Sequence, residues 1–355
     1  MKKRIKVKNI IIILLLLMGS VLVTTGLLWI HYTGKVSNNS ELITVEIKGS
    51  GVQIGKILEE NELIKSANFF KLYLKINQIN DLKAGTYQLS SNMKLAKIVE
   101  MLQEGNNYNA NEITITFKEG LNMRELATVI ADNTNNTYDD IMNLLKDKDY
   151  LKELIDEYWF LEDDILNKKI YYPLEGYLFP ETYRFKNKDV SVKEIFSKLL
   201  NQMDIELTKN RVLIEESKYS IHEILTLASV IEKEGKENDF VNVSTVFHNR
   251  LKIGQKLESC ATTFYGMGLD FNATGIANSQ MIANNNPYNT YKIKSLPVGP
   301  IACVSRKAIE AALKPSEEKY LYFLSDSKGK TYFFNTYKEH QNKQKQLQQA
   351  GLWDR

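Results

Sequence analysis

The chain has 355 residues, with 46 Lys+Arg against 43 Asp+Glu and a formal charge of +3, and is long enough for two or three domains. The basic excess sits in residues 1–35, where Lys2, Lys3, Arg4, Lys6, Lys8 and Lys35 meet no acid, so residues 36–355 are net acidic and a general nucleic-acid surface is excluded. With 43% hydrophobic and 10% aromatic residues, that remainder can bury a substantial core, and nothing in it reads as disordered or low-complexity.

From Ile10 to Ile30 an almost wholly apolar stretch predicts a helix about 31 Å long, matching a bilayer core. A cleaved signal peptide would have a shorter apolar region and small residues at a cleavage position, which Leu28-Trp29-Ile30-His31-Tyr32 lacks, so an uncleaved anchor is expected. The basic residues before Ile10 predict a cytoplasmic tail at 1–9 and an extracytoplasmic remainder, with the substrate on that side.

After a linker at 31–39, Ile43–Ile47 reads as a strand, Gly49 and Gly51 as a turn, and Ile54, Ile57 and Leu58 as the apolar face of a helix. The same succession recurs weakly at Ile113–Phe117, Gly120 and Leu126–Ile130. Between them, Phe69–Ile76 is a strand or short helix, Ala84–Leu89 a turn into a strand, and Leu95–Leu102 a helix closed by Gly105, giving a small α+β module at about 40–108. Residues 122–170 read as mostly helical. All six prolines lie between Pro173 and Pro315, so the shaped loops that binding requires belong to the later half.

None of the four histidines has metal-ligand spacing, and there is neither a phosphate-cradling Gly-rich loop nor a Gly-x-Ser-x-Gly turn, so no cofactor is expected. What remains is a carboxylate on a helix. Residues 221–234 have helical periodicity and a Gly stop at Gly235. Leu227, Val230 and Ile231 surround Glu234 on the apolar face, whereas Glu232 lies on the far side beside Leu225 and Ala228, so the two cannot act together on one bond. A carboxyl at the helix C-terminus among apolar neighbours is biased toward its protonated form, the environment of a general acid. The competing reading is two solvated acids at a helix end.

The flanking segments are more specific. Leu227-Ala228-Ser229-Val230-Ile231-Glu232-Lys233-Glu234, Val246-Phe247-His248-Asn249-Arg250-Leu251, Asn286-Pro287-Tyr288-Asn289-Thr290-Tyr291 and Leu296-Pro297-Val298-Gly299-Pro300-Ile301 closely resemble the MltG-type (YceG-like) endolytic murein transglycosylases. Leu174–Tyr183 resembles another signature of that family, Ala84–Tyr87 its LysM-like module, and Tyr320–Phe323 with Phe334–Thr336 before His340 its closing strands. The resemblance spans essentially the whole chain. It implies an α+β protein with a transmembrane helix at 10–30, a LysM-like module at 40–108 and a mixed α/β catalytic domain with a cleft at 109–355. The implied activity is non-hydrolytic cleavage of the MurNAc-GlcNAc β-1,4 bond of nascent glycan strands, leaving 1,6-anhydroMurNAc ends.

One carboxyl suffices for that reaction, whereas a hydrolase needs a second to activate water or attack directly. By resemblance the catalytic residue lies in the Glu232–Glu234 step and is assigned to Glu234, with Glu232 in reserve. Tyr288, Asn289 and Tyr291 are expected to line the glycan cleft, the alternative being a Pro-initiated turn with buried tyrosines. Asn249 and Arg250 are either further ligands or helix-to-loop braces. Two motif loops depart from the family: Glu258-Ser259-Cys260-Ala261-Thr262 stands for Gln-Ser/Thr-Asp-Pro-Thr, and Cys303-Val304-Ser305 replaces a Pro-Gly turn. These loops hold the only two cysteines, which suggests a Cys260–Cys303 disulfide outside the cytoplasm, the alternative being two buried thiols. The family implies cell-wall synthases and division proteins as partners. A catalytically weakened peptidoglycan-binding scaffold is the other function class.

Overall fold

A computed structural model describes residues 2–105, 108–269 and 277–353, with side chains from residue 9 onward, so Met1 of the expected tail lies outside the described residues. The chain forms two compact units, Met1–Ala110 and Asn111–Arg355.

In the first unit, α1 (Lys2–Thr33) is a single helix, and its segment Asn9–Thr33, with a mean hydropathy of 2.7, is long and apolar enough to cross a membrane. β1 (Ile43–Ile47) pairs antiparallel with β2 (Gly85–Leu89), Ile43 opposite Leu89 and Ile47 opposite Gly85. Between them run α2 (Gly51–Glu60) and α3 (Ala67–Ile76), and α4 (Leu95–Glu104) follows. The ambiguous stretch Phe69–Ile76 is helical because Ser66 caps it, accepting from Phe69 N at 3.3 Å, and because Phe70 and Leu74 then fall on one face. Both join Ile47, Leu58, Tyr87, Leu89 and Ile98 in a shared core. α4 ends as its sequence predicts, with Gly105 in the left-handed region at φ 74°.

The stretch expected as a linker is tied to this module. Trp29 and Tyr32, in the last turn of α1, pack on Phe69 with ring centroids 5.3 and 4.9 Å away, and Trp29 also stacks on Tyr73. Lys65 Nζ donates to His31 O, and Val36 N and Ser37 N both donate to Ser91 O.

The second unit is dominated by helices: α5 (Met123–Asn133), α6 (Tyr138–Leu144), α7 (Lys148–Glu157), α8 (Val192–Lys209), α9 (Arg211–Glu215), α10 (Ile221–Glu234), α11 (Phe240–Lys252), α12 (Cys260–Gly266), α13 (Ser279–Ala283), α14 (Arg306–Leu313) and α15 (Tyr337–Gln349). Its described strands are the antiparallel pairs β3 (Ile113–Thr116) with β4 (Thr182–Phe185), and β5 (Tyr322–Ser325) with β6 (Thr331–Phe334).

α10 is the axis of this unit. Ser220 and Glu223 form a capping box at its start, and every residue from Ile224 to Ile231 is buried. Its outward links are polar. His222 Nε2 donates to Val298 O at 2.9 Å, which leaves Nδ1 to accept from the Tyr177 hydroxyl at 2.8 Å, and Ser229 Oγ accepts from Ile301 N at 3.0 Å. Three motifs far apart in sequence, at 174–183, 221–234 and 296–301, are thus fixed to one helix. Gly235 ends α10 as its sequence predicts, with an extended backbone (φ −109°, ψ 165°), and a Cβ there would lie 2.9 Å from the Phe240 ring.

Candidate functional site

The two acids of the Glu-Lys-Glu step face different helices. Glu232 Oε2 accepts from Ser305 Oγ at 2.6 Å and Ser305 N at 3.0 Å, and Ser305 is the N-cap of α14. Burial raises the pKa of Glu232, the two Ser305 bonds oppose that rise, and the nearby Glu119 charge adds to it. The replacement at Ser305 therefore supplies a hydroxyl that occupies Glu232. Lys233, between the two acids, donates to Gly120 O at 3.1 Å.

Glu234, the last residue of α10, is received at the start of α12. Its Oε1 accepts from Ser259 Oγ at 2.5 Å and from Ala261 N at 3.3 Å, Ser259 being the N-cap of α12. A carboxylate oxygen there meets a helix N-terminus and a charge-assisted hydroxyl bond. Glu234 is half-buried, so it is held and still open on one side.

The loop before α12 is itself braced. Thr290 Oγ1 accepts from Ser259 N at 2.9 Å and pairs with Thr262 Oγ1 at 2.8 Å, while Thr290 O accepts from Glu258 N. Glu258 is one of the non-glycine residues with positive φ, at 54°, strain that this bonding and its ion pair to Arg250 Nη1, at 3.7 Å, hold in place.

Of the expected cleft residues, Tyr291 is the one near the acid: it is half-buried, its hydroxyl meets Cys260 Sγ at 3.2 Å, and the Glu234 and Glu258 charges reinforce the burial that raises its pKa. Tyr288 and Asn289 are fully buried and line no open surface. Tyr288 packs its ring between Tyr171 and Tyr265 and accepts from Tyr171 N. Asn289 donates to Asn284 O and Ile282 O and accepts from Thr263 Oγ1, which fixes the turn after Pro287.

Asn249 and Arg250 are braces. Asn249 Nδ2 donates to the Glu318 and Tyr320 carbonyls, and Arg250, buried, donates through Nε to Leu321 O and through Nη1 to Leu257 O, both at 2.7 Å. The expected disulfide is not formed. Cys260 and Cys303 are free thiols with different surroundings, the former against Tyr291 and the latter buried, its backbone bonded to Gly120 and Leu121.

Several contributors escaped the sequence reading. Ser259 carries an N-cap pattern but sits in a segment read only as an atypical loop. Thr290 lies inside the 286–291 segment, where nothing in the sequence marks it as the partner of Ser259 and Thr262. Glu175, in the 174–183 motif, is fully buried; its Oε2 accepts from Met123 N and the Tyr265 hydroxyl, both at 2.9 Å, and Oε1 has no hydrogen-bond partner among the described residues. Burial pushes its pKa up to about 8 despite those two bonds. Glu175 thereby ties the start of α5 to α12, the helix that receives Glu234.

Residues 43–346 match the YceG-like family. A Bacillus subtilis protein named endolytic murein transglycosylase is 36% identical over 301 residues, 84% of this chain and 82% of its own length. A Streptococcus pneumoniae protein of the same name is 31% identical over 320 residues, 86% of this chain and 58% of its own length. A crystal structure of a yceG-like protein from Listeria monocytogenes superposes with a TM-score of 0.62 at 36% identity, covering 86% of this chain and 99% of that one.

Proposed function

The chain belongs to the YceG-like family, and from that premise we propose that it is an endolytic murein transglycosylase in which Glu234 is the acid that cuts the glycan. The observation that carries the assignment is the seat of Glu234 between the Ser259 hydroxyl and the Ala261 amide. The two donors on Oε1 fix the orientation of the carboxyl at the end of α10. Glu234 gives its proton to the glycosidic oxygen as the bond between C1 of MurNAc and O4 of GlcNAc breaks. Its carboxylate then takes the proton of the C6 hydroxyl as O6 bonds to C1, which closes the 1,6-anhydro ring, consumes no water and restores the acid. Glu232, held by Ser305, serves the fold.

Glu258 supplies a specific second reading. It brings a further carboxylate into the neighbourhood of Tyr291 and Arg250, where the family pattern that the segment resembles has glutamine, and a second carboxylate is what a hydrolase requires. Its ion pair with Arg250 assigns it to bracing.

The β1-α2-α3-β2 order and the groove of about 480 Å³ lined by the Gly49–Val52 turn, Lys71, Lys75 and Asn80 support reading the first unit as a LysM-like glycan grip. The apolar α1 supports a single-pass anchor with a cytoplasmic N-terminus, and cell-wall synthases and division proteins are the partners this reading implies.

The test is mass spectrometry of uncrosslinked glycan strands digested by the wild type and by Glu234→Gln, Glu232→Gln and Glu258→Gln. Anhydro-ended internal fragments are expected from the wild type, Glu232→Gln and Glu258→Gln, and should fall by roughly 10²–10⁴-fold in Glu234→Gln. Loss confined to Glu232→Gln would move the acid. Reducing ends that vanish in Glu258→Gln would make the enzyme a hydrolase, and strand binding without cleavage by the wild type would make it a scaffold.

A further inference from the structure

The β5–β6 hairpin and α15 enclose a groove of about 370 Å³ with no part in the chemistry above. One wall is aromatic: Tyr320 and Phe333, ring centroids 5.5 Å apart, and Phe334, all half-buried. The other wall carries exposed amides, Asn335 at the end of the hairpin and Asn342 and Gln346 on successive turns of α15, with Lys343 between them lying 4.1 Å over the Tyr332 ring. Glu339 uses Oε2 to cap α15 through Thr336.

We propose that this groove is a second glycan subsite, taking an N-acetylhexosamine ring of the strand beyond the one being cut. The inference rests on the transglycosylase reading and extends its substrate contacts. A pyranose offers an apolar C–H face and an acetamido group. The half-buried rings match the first, and primary amides, which donate and accept at once, match the second. A wall of leucines or lysines would suit neither.

The groove also shares a frame with Glu234. The Arg250 guanidinium holds Leu321 O, at the foot of the hairpin, and Leu257 O, in the loop that leads into Ser259. It is close enough to feel the Glu234 charge on one side and to be felt by His340 of α15 on the other. One guanidinium thus positions both the foot of the groove and the loop that receives Glu234.

The experiment uses the full chain and uncrosslinked glycan strands. In a Glu234→Gln background, which removes turnover, the double variant Asn342→Ala/Gln346→Ala is expected to bind strands roughly 5–50-fold more weakly, for two lost hydrogen bonds. In the cleavage-competent chain the same pair should raise KM by a similar factor and leave kcat within about twofold, because uniform binding is what is lost. Alanine favours the helix, so α15 is retained, as an unchanged melting temperature would verify. Affinity and KM within about twofold of the parent would overturn the subsite. Failure of the wild type to make anhydro ends would instead overturn the transglycosylase reading, and the binding comparison would still decide the groove.

Discussion

Ser259 touches the proposed acid at 2.5 Å and caps α12 in the same geometry, so its removal strikes chemistry and folding together. Ser259→Ala is expected to cost about 1 kcal/mol of stability, as an N-cap does, and roughly 10–100-fold in kcat through the lost charge-assisted bond. Ser259→Thr, keeping the hydroxyl, should restore both; steady-state kinetics beside thermal melts decides. Glu175 makes a pH prediction. Its pKa in the fold is about 8 against an ordinary 4.5, so the stability it contributes is complete below about pH 4.5 and is lost as pH rises toward 8. Between pH 4.5 and pH 7 this amounts to on the order of 3 kcal/mol. Urea midpoints should fall over that range in the wild type and be flatter in Glu175→Gln. At this scale the sequence placed Glu234 at the end of α10, facing away from Glu232, because helical spacing and a following glycine fix where a side chain points. It concealed Tyr288 and Asn289, whose type suits sugar contact equally well, because whether an amide meets solvent or three backbone groups is decided by the path of the chain around it.

At the scale of elements, α8 and α14 are joined by charge. Arg306 donates to both oxygens of Glu206, through Nε at 2.6 Å and a second nitrogen at 2.8 Å, and Lys209 adds a bond at 2.8 Å. The Arg306 bonds, with help from Lys209, hold the Glu206 carboxyl down to about 2, so its contribution is present above the ordinary carboxylate range and is lost as pH falls from about 4.5 toward 2. The Glu206 side chain is buried while Arg306 is half exposed, so solvent screens part of the gain. Arg306→Ala is expected to lower the denaturant midpoint near pH 7 and to lower it less at pH 3, where Glu206 is partly protonated, as denaturant titration at the two pH values would show. Of the helices of this unit, α10 was legible from its periodicity and 122–170 as mostly helical, and the capping boxes of Ser220 with Glu223 and Asn122 with Glu125 lie in the sequence at the starts of α10 and α5. The start of α14 was not, because Cys303-Val304-Ser305 reads as a broken turn until Glu232 arrives from a distant helix to complete the Ser305 cap.

For the whole molecule, the apolar helix and the glycan chemistry imply work at a surface. Removal of residues 1–33 is expected to shift the protein from the membrane pellet to the soluble fraction. Cleavage of free strands should stay within a few-fold, whereas cleavage of membrane-held nascent strands should drop about 10–100-fold as the effective concentration is lost. Fractionation with product counting in the two settings tests this, and equal loss in both would mean that α1 is needed for folding instead.

Trp29 and Tyr32 carry that argument one step further. Because the last turn of α1 is stacked on Phe69 and Tyr73, a bilayer around the helix would carry the first unit as a post carries a lamp, with little of the play a loose leash would allow. The groove beside Gly49 would then sweep a single plane parallel to the membrane. If that groove grips glycan as proposed, it would meet strands at one height above the membrane.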